Sequence, residues 1–417
     1  MSDWDFSPPP PSDLGDHDVP LDGVHLQGRR VALLLTGSIA AMKAPLLARA
    51  LRRQGANVVV FASQEALRYV TEETLEWSTT HRVVTRLTPA SEHLSADAPF
   101  DAYLLAPATY NTINKMRYGI ADGVVTATLV SALGRMEQGR SKVLVAPTMH
   151  GSMHTSILTE SLQALSAMGV RIVPPREDYG KHNIPEDERL VAEVCRAVSE
   201  SPLRGLHLLV TGGPTPVPVD NVRRLTNKFT GRLGVAIADE LFLRGAETML
   251  VLAGGATAPP VYLPWRAAET FDDYVKLIEE ELSSGRVRAA VFSAAVADYR
   301  PEAVLPGKTP SGGALETLHL VPTPKVIAGV REQYPGLHMV TFKYQEDVSH
   351  DELVAVARER LAQGYQAVVA NRGEERGPAG EQVAYLVSAT GEPLQLVGKA
   401  GIARGIAGYL ERLLGHG

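Results

Sequence analysis

At 417 residues, 45% hydrophobic and 21% charged, the chain is long enough for about two domains, each with its own core. A net charge of −6 gives no broad electrostatic reason to bind nucleic acid or an anionic membrane, so the expected partners are small molecules and other subunits. One cysteine, Cys195, excludes an intramolecular disulfide and a cysteine-based zinc site. No run of about 18 apolar residues is present, and no basic region followed by an apolar stretch opens the chain. Neither a membrane span nor a signal peptide is expected, and the expected location is cytoplasmic.

Residues 1–26, with "SPPPPSDLGD", are proline-rich and acidic and are expected to be a disordered tail. The stretch "RRVALLLTGSIAAMKAPLLARALRRQGANVVVFAS" then reads as an apolar strand, a Gly/Ser turn, a helix and a second apolar strand. "DAYLLAPAT" and "SKVLVAPTMH" repeat the pattern of an apolar strand ending in a polar loop. A second start follows at "LRGLHLLVTGGPTPVPVDNVRRLTNKFTGRLGVAIADELFLRGAETMLVLAGG", again strand, glycine turn, helix and strand. "AAVFSAAVADY", "HMVTFKYQED" and "YQAVVANRG" add further strands. Continuous apolar runs suit parallel strands buried on both faces. The fold expected is α/β, with two doubly wound, mainly parallel-sheet (Rossmann-like) domains over residues 27–200 and 201–417, the first of them flavodoxin-like. Ligands belong beyond the carboxyl ends of the strands.

In the first domain "TGSIAAMKAP" (36–45) puts small residues between strand and helix, where backbone N–H groups can approach a phosphate. "APATYNTINKMRYGIAD" (106–122) places hydroxyl and amide residues at the start of another helix. Together these segments resemble the flavin-dependent cysteine decarboxylase family, over roughly residues 28–190. "PATYNT" is similar to that family's PASANT motif. The resemblance implies an FMN site that includes Gly37, Ser38, Ser63, Thr109, Asn111 and Thr112. It also implies that His93, in "HLSADAPFDAYLLAPAT", acts as the catalytic base.

"PTMHGSMH" (147–154) carries His150 and His154 at a spacing that puts two imidazoles on one helix face. It resembles the family's substrate-recognition motif PxMNxxMW, with Pro147, Met149 and Met153 in place. His150 stands where the family has Asn, and His154 where it has Trp. His150 and Met153 are thereby implied in substrate binding, and a metal site at the pair would need further ligands. The family's flap also carries a cysteine that acts as proton donor. Here the corresponding "REDYGKHNIPEDE" has none, and Tyr179, Lys181 and His182 are the candidates to replace it. Cys195, in the helix-like "LVAEVCRAVSE", reads as a structural thiol.

The second domain is similar to phosphopantothenate–cysteine ligases from about 205 to 413. In "GGPTPVPVDNVRRLTNKFTGRLG" (212–234), Gly213, Pro214, Thr215, Asp220, Val222, Arg223, Asn227, Gly231 and Gly234 fall in register with the ligase signature. "SAAVADYRPEAVLPGK" (293–308) resembles the AAVADYRP block and its following lysine. The resemblance gives Asn227 and Lys308 catalytic roles, Ala294 and Ala295 substrate contacts, and Asp298, Phe342, Asn371 and Lys399 nucleotide contacts beside Gly213 and Thr215. It implies activation of the 4′-phosphopantothenate carboxylate by CTP or ATP with Mg²⁺, then amide formation with cysteine. A homo-oligomer is also expected. A ligase carrying a degenerate flavin domain, and a non-catalytic flavin-binding regulator, are the alternatives left open.

Overall fold

The apolar run Val31–Leu35 becomes an interior strand of a parallel sheet because nothing along it is polar enough to face water. The structure is a computed structural model that describes residues 7–95, 97–308 and 318–415. The chain divides at Ser199/Glu200 into two units.

In the first unit the strands are β1 (Arg30–Leu35), β2 (Asn57–Ala62), β3 (Ala102–Ala108), β4 (Lys142–Pro147), β5 (Met149–His150), β6 (Arg171–Ile172), β7 (Arg176–Asp178) and β8 (Lys181–Asn183). The helices are α1 (Ala44–Arg53), α2 (Glu72–Thr79), α3 (Tyr110–Arg117), α4 (Val124–Glu137), α5 (Ser156–Ala167) and α6 (Asp187–Val198). Among the described residues, five strands pair in the order β2-β1-β3-β4-β6, all parallel, with Val31 opposite both Val58 and Ala102. This is the flavodoxin-like order expected from the sequence. Every residue of β3 is buried, which explains its unbroken apolar run. On α1 the buried positions are Ala44, Leu47, Ala48 and Leu51, the three-and-four spacing of a helix face turned to a core. Phe61, Phe100 and Tyr103 stack edge-on at 5.8 and 5.5 Å.

The expectation of disorder through residue 26 needs correction. Asp22 and Gly23 donate to the Arg53 carbonyl, Leu26 donates to that of Gln54, and Leu26 is fully buried. Once α1 presents its free C-terminal carbonyls, this stretch has partners that its composition cannot reveal.

In the second unit the strands are β9 (His207–Gly212), β10 (Val217–Pro218), β11 (Arg224–Leu225), β12 (Glu247–Ala253), β13 (Trp265–Ala268), β14 (Val287–Phe292), β15 (Tyr299–Pro301), β16 (Leu320–Pro322), β17 (His338–Gln345), β18 (Ala367–Arg372), β19 (Val383–Ser388) and β20 (Leu394–Val397). The helices are α7 (Arg232–Leu243), α8 (Phe271–Ser283), α9 (Val326–Gln333), α10 (His350–Leu361) and α11 (Gly398–Leu414). Among the described residues the main sheet runs β13-β12-β9-β14-β17-β18-β19-β20. The first six strands are parallel, and β19 and β20 close the edge antiparallel. Counted from β9, the parallel part has the Rossmann order, whose direction of winding reverses between β9 and β14. A crevice opens there. No helix among the described residues is long and apolar enough to cross a membrane.

Candidate functional sites

The first unit holds a cavity of about 940 Å³ beyond the carboxyl ends of β1, β2, β3 and β4. Its lining includes Gly37, Ser38, Ser63, Thr109, Asn111, Thr112 and Met153, which the sequence nominates from scattered segments. Three helical N-termini meet there. Ser38 caps a 3-10 turn and accepts from the Ala40 N–H at 3.3 Å, Thr109 precedes α3, and Gly123 precedes α4. Thr36, which no sequence motif singles out, ties two of the loops. Its hydroxyl donates to the Pro107 carbonyl at 2.7 Å and accepts from the Thr109 N–H at 3.3 Å. Lys115 and Asp122, also in the lining, pair at 2.6 Å.

Neither His93 nor His150 lines this cavity. His93 is half-buried in the loop before β3, with its Nδ1 buried and, among the described residues, without a hydrogen-bond partner. The helix-face reading of His150 and His154 is overturned. Met149 and His150 form β5, which pairs antiparallel with Lys181 and His182 of β8, and a 3-10 turn follows at 151–153. Gly151 permits this arrangement: a Cβ there would lie 2.3 Å from the Gly180 carbonyl oxygen. Local spacing loses to strand pairing. His150 Nδ1 accepts from the Ser152 N–H at 3.2 Å, while His154 Nδ1 lies 2.7 Å from His182 Nε2, so the two histidines face different partners. Among the described residues no cluster of three or more His, Cys, Asp or Glu is arranged to hold a metal.

β7 and β8 form a hairpin turned by Tyr179 and Gly180, both left-handed, with Tyr179 exposed at the tip. Of the candidate proton donors, His182 is thus engaged with His154, and Tyr179 and Lys181 are exposed. Cys195 is buried on the inner face of α6, as a structural thiol would be.

One cavity of the second unit, about 520 Å³, lies in the crevice between β9 and β14 and extends to the ends of β17 and β18. The loops after β9 and β14 are laced together. Ser293 N–H and Oγ both donate to the Thr211 carbonyl at 3.2 and 2.6 Å, Ala295 N–H donates to Gly213 at 2.9 Å, and Thr215 N–H donates back to Ala295 at 3.2 Å. From α8 the buried Tyr274 hydroxyl donates to Thr211 Oγ1 at 3.1 Å, and burial raises its pKa. Gly213 has φ +79, and a Cβ on it would meet the Ala253 carbonyl oxygen at 2.5 Å.

Gly213, Ala294, Ala295, Phe342, Asn371 and Lys399 line the cavity as nominated. Four other nominated residues do not. Thr215 is fully buried, its hydroxyl accepting from the Ala297 N–H at 2.8 Å. Asn227, exposed and next to the lining residue Lys228, donates from Nδ2 to the carbonyl of the lining residue Ala295 at 3.0 Å. Asp298 is taken up by Lys325 Nζ at 2.5 Å, and Lys308 is exposed just after Gly307, whose carbonyl accepts from the Asn221 N–H. Asp220, in register with the ligase signature, is structural: it accepts from the N–H groups of Val222 and Arg223 and pairs with the Arg223 guanidinium. The lining adds Lys228, Arg232, Tyr344, Arg376 and Gln382. "TNKFTGR" contains two of these cations, whereas nothing local marks Arg376. Lys343, beside Phe342, has its pKa lowered by burial and then by the Arg360 charge.

A family model described as Flavoprotein matches residues 22–199, and one described as DNA/pantothenate metabolism flavoprotein C-terminal domain matches residues 203–413. The coenzyme A biosynthesis bifunctional protein CoaBC of Thermococcus kodakarensis is 33% identical over 395 residues, covering 93% of this chain and 96% of its own. The protein of the same name from Escherichia coli K12 is 30% identical over 325 residues, covering 73% and 77%. The solved DNA/pantothenate metabolism flavoprotein from Streptococcus pneumoniae, 27% identical, covers 50% of this chain and 100% of its own, with a TM-score of 0.45. Matches to both units, in chain order and over nearly the whole length, show that the chain belongs to the family of coenzyme A biosynthesis bifunctional proteins, CoaBC.

Proposed function

We propose that the second unit joins 4′-phosphopantothenate to cysteine at the expense of CTP or ATP, and that the first unit binds FMN. The observation that carries the ligase reading is the lining of the 520 Å³ cavity. It holds Lys228, Arg232, Arg376 and Lys399 and, among the described residues, no Asp or Glu, at the N-terminus of α7. Such a site favours a polyanion. With no carboxylate in that lining, Mg²⁺ would arrive on the triphosphate and be held mainly by its oxygens and water.

In the reaction, a carboxylate oxygen of 4′-phosphopantothenate bonds to the α-phosphorus as the bond to pyrophosphate breaks. The cysteine amine then bonds to the acyl carbon, the nucleoside monophosphate leaves, and the nitrogen loses a proton. Activation is required because oxide is a poor leaving group. The laced loops after β9 and β14 position the Ala294–Ala295 segment, and the Asn227 amide adds a bond to the Ala295 carbonyl. Lys308 and Asp298 have their roles from resemblance. Lys308 follows Gly307 at the edge of the described residues, and Asp298 is joined to Lys325.

The 940 Å³ cavity fits FMN in size and in its hydroxyl-rich lining, Ser38, Ser63, Thr109, Asn111 and Thr112 would hold it, and the helical N-termini at the lining would favour its phosphate. FMN bound there supplies a two-electron acceptor. A second reading, ligation without decarboxylation, is supported by the flap: its segment 176–188 has no thiol, and His182 is held by His154. Self-association is part of the proposal, and the exposed stripe of Ile39, Met42 and Leu46 supports it.

One incubation tests these readings: protein, 4′-phosphopantothenate, cysteine, Mg²⁺ and either CTP or ATP, read by mass spectrometry. A product with condensed cysteine is expected. Further loss of CO₂ would add the decarboxylase, its absence would favour the second reading, and no condensation with either nucleotide would overturn the ligase.

A further inference from the structure

We propose that Arg376 is a phosphate-binding residue of the second unit, presented to a polyphosphate by a loop built for that purpose. The inference rests on the nucleotide-dependent reading of the 520 Å³ cavity and names a residue that no sequence motif marks.

Arg376 lies in the segment 373–382, which leaves the carboxyl end of β18 just after the lining residue Asn371. A loop this exposed ordinarily wanders, and this one is tied at each end. Arg376 forms an antiparallel bridge with Gln382, and Gly377 N–H donates to the Glu381 carbonyl at 2.9 Å. Gly398 N–H donates to the Gln382 carbonyl at 2.8 Å. That last bond joins the loop to the first residue of α11, which carries Lys399. Arg376 and Lys399 are therefore held by one hydrogen-bonded frame, and both line the cavity.

The residue before Arg376 anchors the frame from below. The Glu375 carboxylate accepts from Arg372 Nη2 at 2.7 Å and Nε at 3.0 Å, and from the Tyr385 hydroxyl at 2.5 Å. Arg372 also donates to the Val348 carbonyl at 3.2 Å, which fastens the cluster to the loop before α10. The Glu375 charge is thus satisfied by its own neighbours. Among the described residues the guanidinium of Arg376 makes one bond, at 3.2 Å to the Glu375 carbonyl through Nη1. Its remaining donors are available to a ligand.

The chemistry of that ligand follows from the lining. Lys228 comes from the loop before α7, Arg232 from α7, Arg376 from the loop after β18 and Lys399 from α11. Four cations line this cavity of about 520 Å³ with no carboxylate among its lining residues, more positive charge than one phosphate group neutralises, and a chain of two or three phosphates matches it. The planar fork of an arginine pairs with two phosphate oxygens at once, whereas a lysine offers a point charge.

The test uses full-length protein and measures initial rates of ligation together with inhibition by inorganic tripolyphosphate. Arg376→Gln is expected to raise the nucleotide KM roughly ten- to a hundredfold, as loss of a charge-assisted bidentate contact would, with the cysteine KM unchanged. Tripolyphosphate inhibition should weaken by a similar factor. Arg376→Lys should recover part of both effects, and Arg404→Gln, an exposed cation of α11 outside the lining, should change neither. An unaltered nucleotide KM in Arg376→Gln, or an equal effect from Arg404→Gln, would overturn the inference while leaving the ligase reading intact. If the wild-type protein ligates with neither nucleotide, calorimetric binding of tripolyphosphate decides alone. Binding that is lost in Arg376→Gln supports the inference; binding that persists there, or that the wild type lacks, overturns it.

Discussion

Gly212 and Gly234 touch backbone to backbone: a Cβ on Gly234 would lie 2.8 Å from the Gly212 Cα and 3.2 Å from the Thr211 carbonyl oxygen. The contact brings the first turn of α7 against the end of β9 and so sets the floor of the 520 Å³ cavity. Gly234→Ala should gain about 1 kcal/mol of helix propensity and lose about 1–3 kcal/mol to overpacking, because the obstructing atoms are backbone. The clash wins. Calorimetry should show a lower transition temperature for the second unit, together with a fall in ligation.

Thr36 joins the loops after β1 and β3 from a position only 3% exposed. Thr36→Val keeps the shape and removes the hydroxyl, leaving the Pro107 carbonyl without that donor. We expect FMN to bind roughly fivefold more weakly, about 1 kcal/mol. Quenching of flavin fluorescence on titration measures it, and unchanged affinity would mean that the loops hold their geometry without the link.

At Gly151 an added methyl would meet the Gly180 carbonyl oxygen, again a backbone atom. Gly151→Ala should separate β5 from the β7–β8 hairpin while leaving the five-stranded sheet folded. Proteolysis at the exposed Tyr179 tip should speed up severalfold with little change in the unit's melting temperature.

Glu375 is opposed by burial, yet the hydrogen bonds from Tyr385 and Arg372 outweigh it and hold its pKa below the ordinary carboxylate value. A depressed folded pKa stabilises at neutral pH, and that contribution is lost as pH falls through the acid range below the unfolded value. The second unit of Glu375→Gln should therefore be less stable than wild type at pH 7, and the difference should shrink below about pH 4. Denaturant melts at both pH values would check it, and a constant difference would remove the carboxylate's charge from the explanation.

The sequence by itself determined the layered α/β plan, because buried parallel strands write their position as unbroken apolar runs such as Leu33–Leu35 and Val368–Ala370. It also marked the small and polar residues that follow those strands, and Ser38, Thr109 and Gly213 are among the residues that line the two cavities. What it could not carry was any choice between local spacing and long-range pairing. His150 and His154 sit four apart, but strand pairing across Gly151 and Gly180 separates them and gives His154 to His182. Asp298 pairs with Lys325, 27 residues on, a contact that its neighbours in sequence do not announce. Arg376 has none, yet the end of β18 and the start of α11 bring it to the same cavity as Lys228. Strand and helix periodicities are properties of neighbouring residues. A site at the ends of parallel strands is assembled from segments far apart in the chain, and only the tertiary structure decides which of their side chains remain available.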